Sequence, residues 1–321
     1  MQVNHIKVIP GIFVFKFWQY GEWIEVVIDD YLPTVNGKLP FLRSDSPNEF
    51  WTPLVEKAYA KLYGNYTLAL HLGLIGDSME DLSGGVAERY YDKASLAPFK
   101  VMLRSYQKKS MMGASIWKRP GEASEQINDM GLAGGHAYSV TKILEFDANG
   151  QKHQLVRIRN PWGNRIEWKG AWSDKSPEWD ALSDTQKTDI GLLIEDNGEF
   201  FMTYRDFIKE FDGLDICHVS MNSFDEDNIG WHKQEVHGSW AKGTEVLHEN
   251  PQYLVELKDT DADSDNICTC LISLLQVGGR RKRADGHGFE TAFANIGKDL
   301  SSYFIQLTDL NSILFLSKDL L

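Results

Sequence analysis

A chain of 321 residues, 42% hydrophobic and 25% charged, has the make-up of a soluble globular protein and is long enough for two or three domains. A formal net charge of −13 argues against non-specific nucleic-acid binding, which needs clustered Lys and Arg, and it suits an attraction for cations. No apolar run reaches the length of a membrane helix, the first residues lack the basic start and apolar core of a signal peptide, and Cys217, Cys268 and Cys270 form neither a disulfide framework nor a zinc motif, so a cytoplasmic location is expected.

In chain order, "GIFVFKFW" and "EWIEVVIDD" (11–18 and 22–30) are rich in aromatic and β-branched residues and predict two strands joined at "QYG"; "VNGKL" (35–39) predicts a turn. In the next segment Phe50, Trp51, Leu54, Val55, Ala58, Tyr59 and Leu62 recur at helical spacing, with Ser46 or Asn48 as cap and Gly64 as stop. The glycine-rich "GLIGDSMEDLSGG" (73–85) reads as a linker or mobile loop between two lobes. A helix is expected within 93–109, then strands at 113–118, 136–146, 154–160 and 200–204, with a polar insertion at 173–198. A second linker falls at 221–230, and 231–321 reads as short strands opening a β-sandwich.

"GHAYSVTKILEF" and "VRIRNPWG" carry the chemistry. In the first, His136, Tyr138 and Val140 alternate to one side; in the second, Val156, Ile158 and Asn160 share a face opposite Arg157 and Arg159. Paired as an antiparallel hairpin, the two strands bring His136 and Asn160 together at one end. An Asn oxygen there accepts an imidazole N–H, fixes the tautomer and aims the other nitrogen outward, which is how a base is held for a nucleophile. Trp162 is placed to shield the pair from water. The plainer alternative is a His and an Asn that merely satisfy a turn.

"GHAYSV", "VRIRNPWG", "EWKGAWSD" and "DNGEFFMTYRDF", in this order, resemble the calpain family of calcium-dependent cysteine proteases. So do "GIFVFKFWQYGEWIEVVIDDYLP", "EFWTPLVEKAYAKLYGNY" and "NPQYLVEL", so the likeness runs from about Gly11 to about Leu257. The resemblance implies peptide-bond hydrolysis through a thioester, with His136 as general base, Asn160 orienting it and Trp162 covering both. It also implies protein or peptide substrates. In the family the nucleophile lies in a Gln-Gly-x-x-Gly-Asp-Cys-Trp stretch ahead of the opening strands, and no cysteine here precedes Cys217. An incomplete chain, inactive alone, is therefore expected; the alternative is a non-catalytic homologue that binds calcium, proteins or membranes.

Glu167 and Asp174 flank one turn, and Asp196, Asn197 and Glu199 lie in "IEDNGEF". Calcium takes six to eight oxygen ligands at flexible geometry, so two converging loops would suffice. The resemblance assigns Glu167, Asp174 and Glu199 to a calcium site of the second lobe. The family's Asp-Gly-Glu is Asp-Asn-Gly-Glu here, which leaves either Asp196 or Asn197 as the middle ligand. Without that match, solvated acidic loops are the simpler reading. "KDTDADSDN" (258–266) fails as an EF-hand, because Ser264 and Cys270 stand where Gly and Glu are needed. It reads as an acidic loop that, with basic "GGRRKR" (278–283), could meet an anionic membrane surface.

The fold expected is α+β: an incomplete papain-like two-lobe cysteine protease core followed by a partial C2-like β-sandwich. Its divisions are 1–75 for the remainder of the first lobe, 76–222 for the second and 223–321 for the sandwich. Calcium is the expected cofactor; a small regulatory subunit is not indicated either way by the sequence.

Overall fold

The protein is described by a computed structural model covering residues 11–219, save 45, 47, 71, 72, 92–95, 124, 149 and 164, and, beyond these, six strands. Helix and sheet are mixed, and the chain divides into two compact units. The first holds the residues up to Leu74, Glu80–Val86 and the strands beyond residue 231; the second holds Ile75–Met79 and Ala87–Val219.

The first unit opens with a hairpin of β1 (Ile12–Gln19) and β2 (Glu22–Asp29), turned at Tyr20 and Gly21 with Gln19 opposite Glu22. Alternation puts Phe17, Val26 and Ile28 on one face, where Leu54 and Ala58 of α1 (Trp51–Leu62) pack on them. The expected cap at Ser46 or Asn48 is not used. The helix begins later, with Phe50 at its N-cap and no side-chain cap bond, and Pro53 in its first turn needs no N–H partner there. On the hairpin, Ile12, Trp23, Ile24 and Val27 are exposed. Asp81 is buried and accepts from Gln19 Nε2 (2.6 Å), Tyr59 Oη (2.6 Å) and Tyr63 Oη (2.5 Å), so its charge is met by three donors.

The expected linker at 73–85 is instead largely helical: α3 spans Ile75–Ser83. Ile75, Met79 and Leu82 follow a helical period, Asp77 sits in the first turn, where the helix dipole favours an acid, and Gly84 closes the helix at φ +69° with its N–H on Glu80 O (2.7 Å). Residues that favour turns here serve as the helix's start and stop. A short α2 (Tyr66–Leu70) precedes it.

The second unit is built on a six-stranded sheet in the order β3-β8-β4-β5-β6-β7. Its strands are β3 (Val86–Tyr90), β4 (Met111–Ile116), β5 (His136–Ala148), β6 (Gln151–Arg159), β7 (Glu199–Thr203) and β8 (Gly213–His218). The pairs β8–β4, β4–β5, β5–β6 and β6–β7 are antiparallel. One face, with Tyr138, Val140, Val156, Ile158, Phe200 and Ile216, is covered by α4 (Phe99–Gln107) and α6 (Tyr204–Glu210). The other face seats Leu155 and Phe201 against Trp172, Trp179, Leu182 and Ile190. Trp179, Leu182 and Ile190 come from the insertion expected to be merely polar, which Trp172 immediately precedes and which contains a 3-10 turn (Pro177–Ala181) and α5 (Asp184–Ile190), the latter opened by a Ser183/Gln186 capping box. A bulge between Val140 and Lys142 breaks strict alternation in β5 and turns Thr141 toward β7. Cys217 lies in β8, fully buried.

Beyond residue 231 the strands form two three-stranded antiparallel sheets, β10-β13-β12 and β11-β14-β9. These strands are β9 (His232–His237), β10 (Gln252–Glu256), β11 (Cys270–Leu275), β12 (Ala292–Asn295), β13 (Ser302–Thr308) and β14 (Ser312–Ser317). The acidic stretch 258–266, the basic stretch 278–283 and the linker at 221–230 lie outside the described residues. Among the described residues no helix is long and apolar enough to cross a membrane.

Candidate functional site

His136 is the first residue of β5, and Asn160 follows the last residue of β6. The hairpin register brings them side by side, with His136 Nε2 at 3.0 Å from Asn160 Oδ1. Asn160 is fully buried. The same Oδ1 accepts the Trp162 backbone N–H (3.1 Å), and the Asn160 N–H reaches Gly198 O (2.8 Å). An oxygen that accepts the Trp162 N–H cannot be the NH2 group, so the Asn side chain presents an acceptor to the imidazole and Nε2 carries a proton. Asn160 Nδ2 is buried with no hydrogen-bond partner among the described residues.

Aromatic rings hold the imidazole. Trp162 lies over it at 4.5 Å between ring centroids, and Tyr138 meets it edge-on at 4.9 Å. Tyr138 Oη accepts the Ala133 N–H (2.7 Å), and burial pushes this phenol up to about 12, so it stays protonated while it pins the loop that leads into His136. The second imidazole nitrogen, Nδ1, faces Glu125 Oε1 at 3.4 Å. Sequence reasoning missed Glu125, because its approach depends on a loop conformation and not on strand spacing.

The acidic residues divide. Glu167, Asp174 and Asp196 line one open cavity of about 730 Å³. Glu167 Oε1 accepts the Gly198 N–H (2.8 Å), and Asp174 Oδ2 accepts the Glu195 N–H (3.2 Å). Burial, then the charge of Glu167, raises Asp174 to about 6, with Asp196 adding to the effect; burial and then Asp196 also raise Glu167. Glu199 is turned away: it accepts from Thr141 Oγ1 (2.7 Å), and Arg157 Nε lies 3.3 Å from it. Asn197 Oδ1 is taken by the Glu199 N–H (2.8 Å), and its Nδ2 donates to Glu195 (3.2 Å). Among the described residues no three His, Cys, Asp or Glu side chains lie close enough to hold a metal ion together. Three mutually repelling carboxylates on two loops are donors that suit calcium, but the five expected ligands are not gathered as placed here.

The cavity and the His–Asn pair share a physical link. Gly198 donates its N–H to Glu167 on one side and accepts the Asn160 N–H at its C=O on the other. The Glu167 carbonyl in turn abuts Gly131, where an added Cβ would lie 2.0 Å from that oxygen, and Lys169 N donates to Met130 O (3.0 Å).

Comparison with known proteins adds to this geometry. The family described as calpain family cysteine protease matches residues 2–218, and that described as calpain large subunit, domain III, matches residues 228–304. The chain is 43% identical to Calpain-B of Drosophila melanogaster over 297 residues, which covers 86% of this chain and 32% of that relative. It is 40% identical to Calpain-8 of Rattus norvegicus over 313 residues (91% and 44%), and 40% identical to the Calpain-2 catalytic subunit of Homo sapiens over 296 residues (88% and 42%). It thus spans less than half the length of each of these relatives.

Proposed function

We infer the function from one premise: the chain belongs to the calpain family of cysteine proteases. On that premise we read it as part of a calcium-dependent endopeptidase that cleaves protein substrates by a Cys-His-Asn mechanism. The observation that carries the reading is the 3.0 Å contact of His136 Nε2 with a buried Asn160 oxygen that can only accept. It leaves Nδ1 to exchange a proton with a thiol, then to protonate the leaving amine, while Trp162 keeps water from the His–Asn bond.

No thiol serves that nitrogen among residues 11–219, where the one cysteine, Cys217, is fully buried in β8. The test joins this chain to the Cys-bearing segment of the human Calpain-2 catalytic subunit and follows a fluorogenic peptide in calcium. Hydrolysis should depend on the added cysteine and fall by about 10²-fold or more in His136→Ala. Equal rates with and without His136 would remove the reading.

We read Glu167, Asp174 and Asp196 as the residues that would hold calcium, with Asp196 and not Asn197 as the middle ligand, since Asp196 is the one lining the cavity. A bound calcium ion supplies positive charge that relieves the repulsion among these carboxylates. Through Glu167 and Gly198, a rearrangement at the cavity would be felt at Asn160. Calorimetry should detect calcium binding that weakens in Glu167→Ala and Asp174→Ala; unchanged titrations in both would place calcium elsewhere.

The domain reading is 1–75 and 76–222 as two lobes of a papain-like core and 223–321 as a partial C2-like sandwich. The two antiparallel three-stranded sheets support its last part. A cytoplasmic protein that meets anionic membranes through that region remains part of the proposal. The second reading, a non-catalytic homologue that binds calcium, is favoured by one observation: a carboxylate and not a thiol faces Nδ1. It predicts calcium binding by the chain with no hydrolysis even when the cysteine segment is supplied.

A further inference from the structure

Asn160 and Glu125 hold His136 from opposite sides. Since Asn160 Oδ1 can only accept, Nε2 carries a proton. Glu125 Oε1 lies 3.4 Å from Nδ1, and a carboxylate also only accepts. At that distance the carboxylate repels a lone pair on Nδ1 and attracts a proton there, so Glu125 faces Nδ1 as a partner for a donor. The groups facing the ring are Tyr138 from its own strand, Asn160 and Trp162 from the turn after β6, and Glu125; among the described residues Glu125 is the one charged group within ion-pair distance.

Glu125 is held at this spot by the backbone. Its N–H donates to Gly134 O (2.8 Å), the Gly134 N–H donates to Gln126 O (2.9 Å), and Ile127 pairs with Ala133. This small ladder runs directly into His136. Glu125 itself sits at φ +59°, a left-handed conformation that a glutamate adopts at a cost. The side chain is 53% exposed, so its contact with the ring is screened and exchangeable, whereas the His136 side chain is 7% exposed.

We propose that Glu125 is a resting counter-ion and latch for His136: it covers Nδ1 and pairs with a proton carried there until another anion takes its place. In the protease reading, on which the word latch rests, the displacing anion is the catalytic thiolate, and Glu125 is a positioning residue that competes with it. More generally, the position beside Nδ1 is a small anion site that the chain fills with its own carboxylate.

The test uses the whole chain and ring 15N NMR of His136 near neutral pH, with Glu125→Ala and, as a control from the same loop, Glu122→Ala. The doubly protonated fraction should fall at least about threefold in Glu125→Ala and stay unchanged in Glu122→Ala. Added formate, a carboxylate free of the loop, should restore the fraction in Glu125→Ala and do little to the unaltered chain. An unchanged ring in Glu125→Ala overturns the proposal, and so does a lost cation that formate cannot restore, because the loop's shape and not its charge would then be responsible. Should Glu125→Ala fail to fold, Glu125→Gln gives the same readout with the side-chain shape kept. None of these signals requires hydrolysis, so absence of peptidase activity in the cysteine-supplied protein would defeat the protease reading and leave the ion pair standing.

Discussion

Gly131 and Gly121 share a backbone φ of +85° but not their surroundings. At Gly121 an added methyl meets nothing within 4 Å, while at Gly131 it would stand 2.0 Å from the Glu167 carbonyl oxygen and 2.9 Å from its carbon. Substitution by Ala therefore costs both sites the left-handed conformation, about 1–2 kcal/mol. At Gly131 it adds an overlap that only a backbone shift of more than about 1 Å can relieve, because carbon contacts settle near 3.5 Å. Forced overpacking costs about 1–3 kcal/mol more. Both sides of the overlap are tied: Gly131 N donates to Asn128 O (3.0 Å), Lys169 N donates to Met130 O (3.0 Å), and Glu167 holds the Gly198 N–H. Gly131→Ala should thus lose about 2–5 kcal/mol against about 1–2 for Gly121→Ala, a large part of the total stability of an ordinary domain. Urea unfolding of the two variants side by side measures the difference, and the His136 ring signals should move only in Gly131→Ala. Equal losses in the two proteins, within about 0.5 kcal/mol, would show that the Gly131–Glu167 approach constrains nothing.

Asn160→Ala strips acceptors from His136 Nε2 and the Trp162 N–H inside the fold, and should destabilise by about 1–3 kcal/mol in thermal or urea unfolding. Asp215 is buried, and burial lifts its carboxyl to about 6 despite the Tyr91 hydroxyl and Arg89 beside it. Because its folded value lies above the unfolded one, its contribution favours the fold at low pH and is lost as pH rises through about 6; Asp215→Asn should remove this dependence, on the order of 3 kcal/mol between about pH 7 and 4. Glu88, held low by its bond from His218, works with the opposite sign and is common to both proteins, so the difference between their pH–stability curves isolates Asp215.

The parts of the fold fixed by local alternation could be read in the sequence. The pairing of His136 with Asn160 follows from two periods of two and an antiparallel turn, and the β1–β2 hairpin follows from aromatic and β-branched runs around a tight turn. Where one residue type serves two purposes, the reading failed. The glycines and acids of 73–85 mark the ends of a helix as readily as a loop, and Ile75, Met79 and Leu82 were the better guide. The polar look of 173–198 hid Trp179, Leu182 and Ile190, which cover one face of the sheet. Glu199 was expected among the calcium ligands, but the bulge at Thr141 brings a hydroxyl to its carboxylate and Arg157 completes the pairing; a single extra residue in a strand leaves no periodic mark. Glu125 escaped for the same kind of reason, since its place depends on a left-handed residue within a loop.

The burial of Cys217 in β8, between β3 and β4, gives the protein a clock. A thiol there cannot reach a reagent in solution while the sheet is closed. With Cys268 and Cys270 replaced by Ser, the time course of labelling by an aromatic disulfide would count the openings of β8 alone. In dilute reagent the rate follows how often that strand is open, and in excess reagent it levels off at the speed of opening itself. Cys217 thus gives the chain its own timer for the exposure of that sheet.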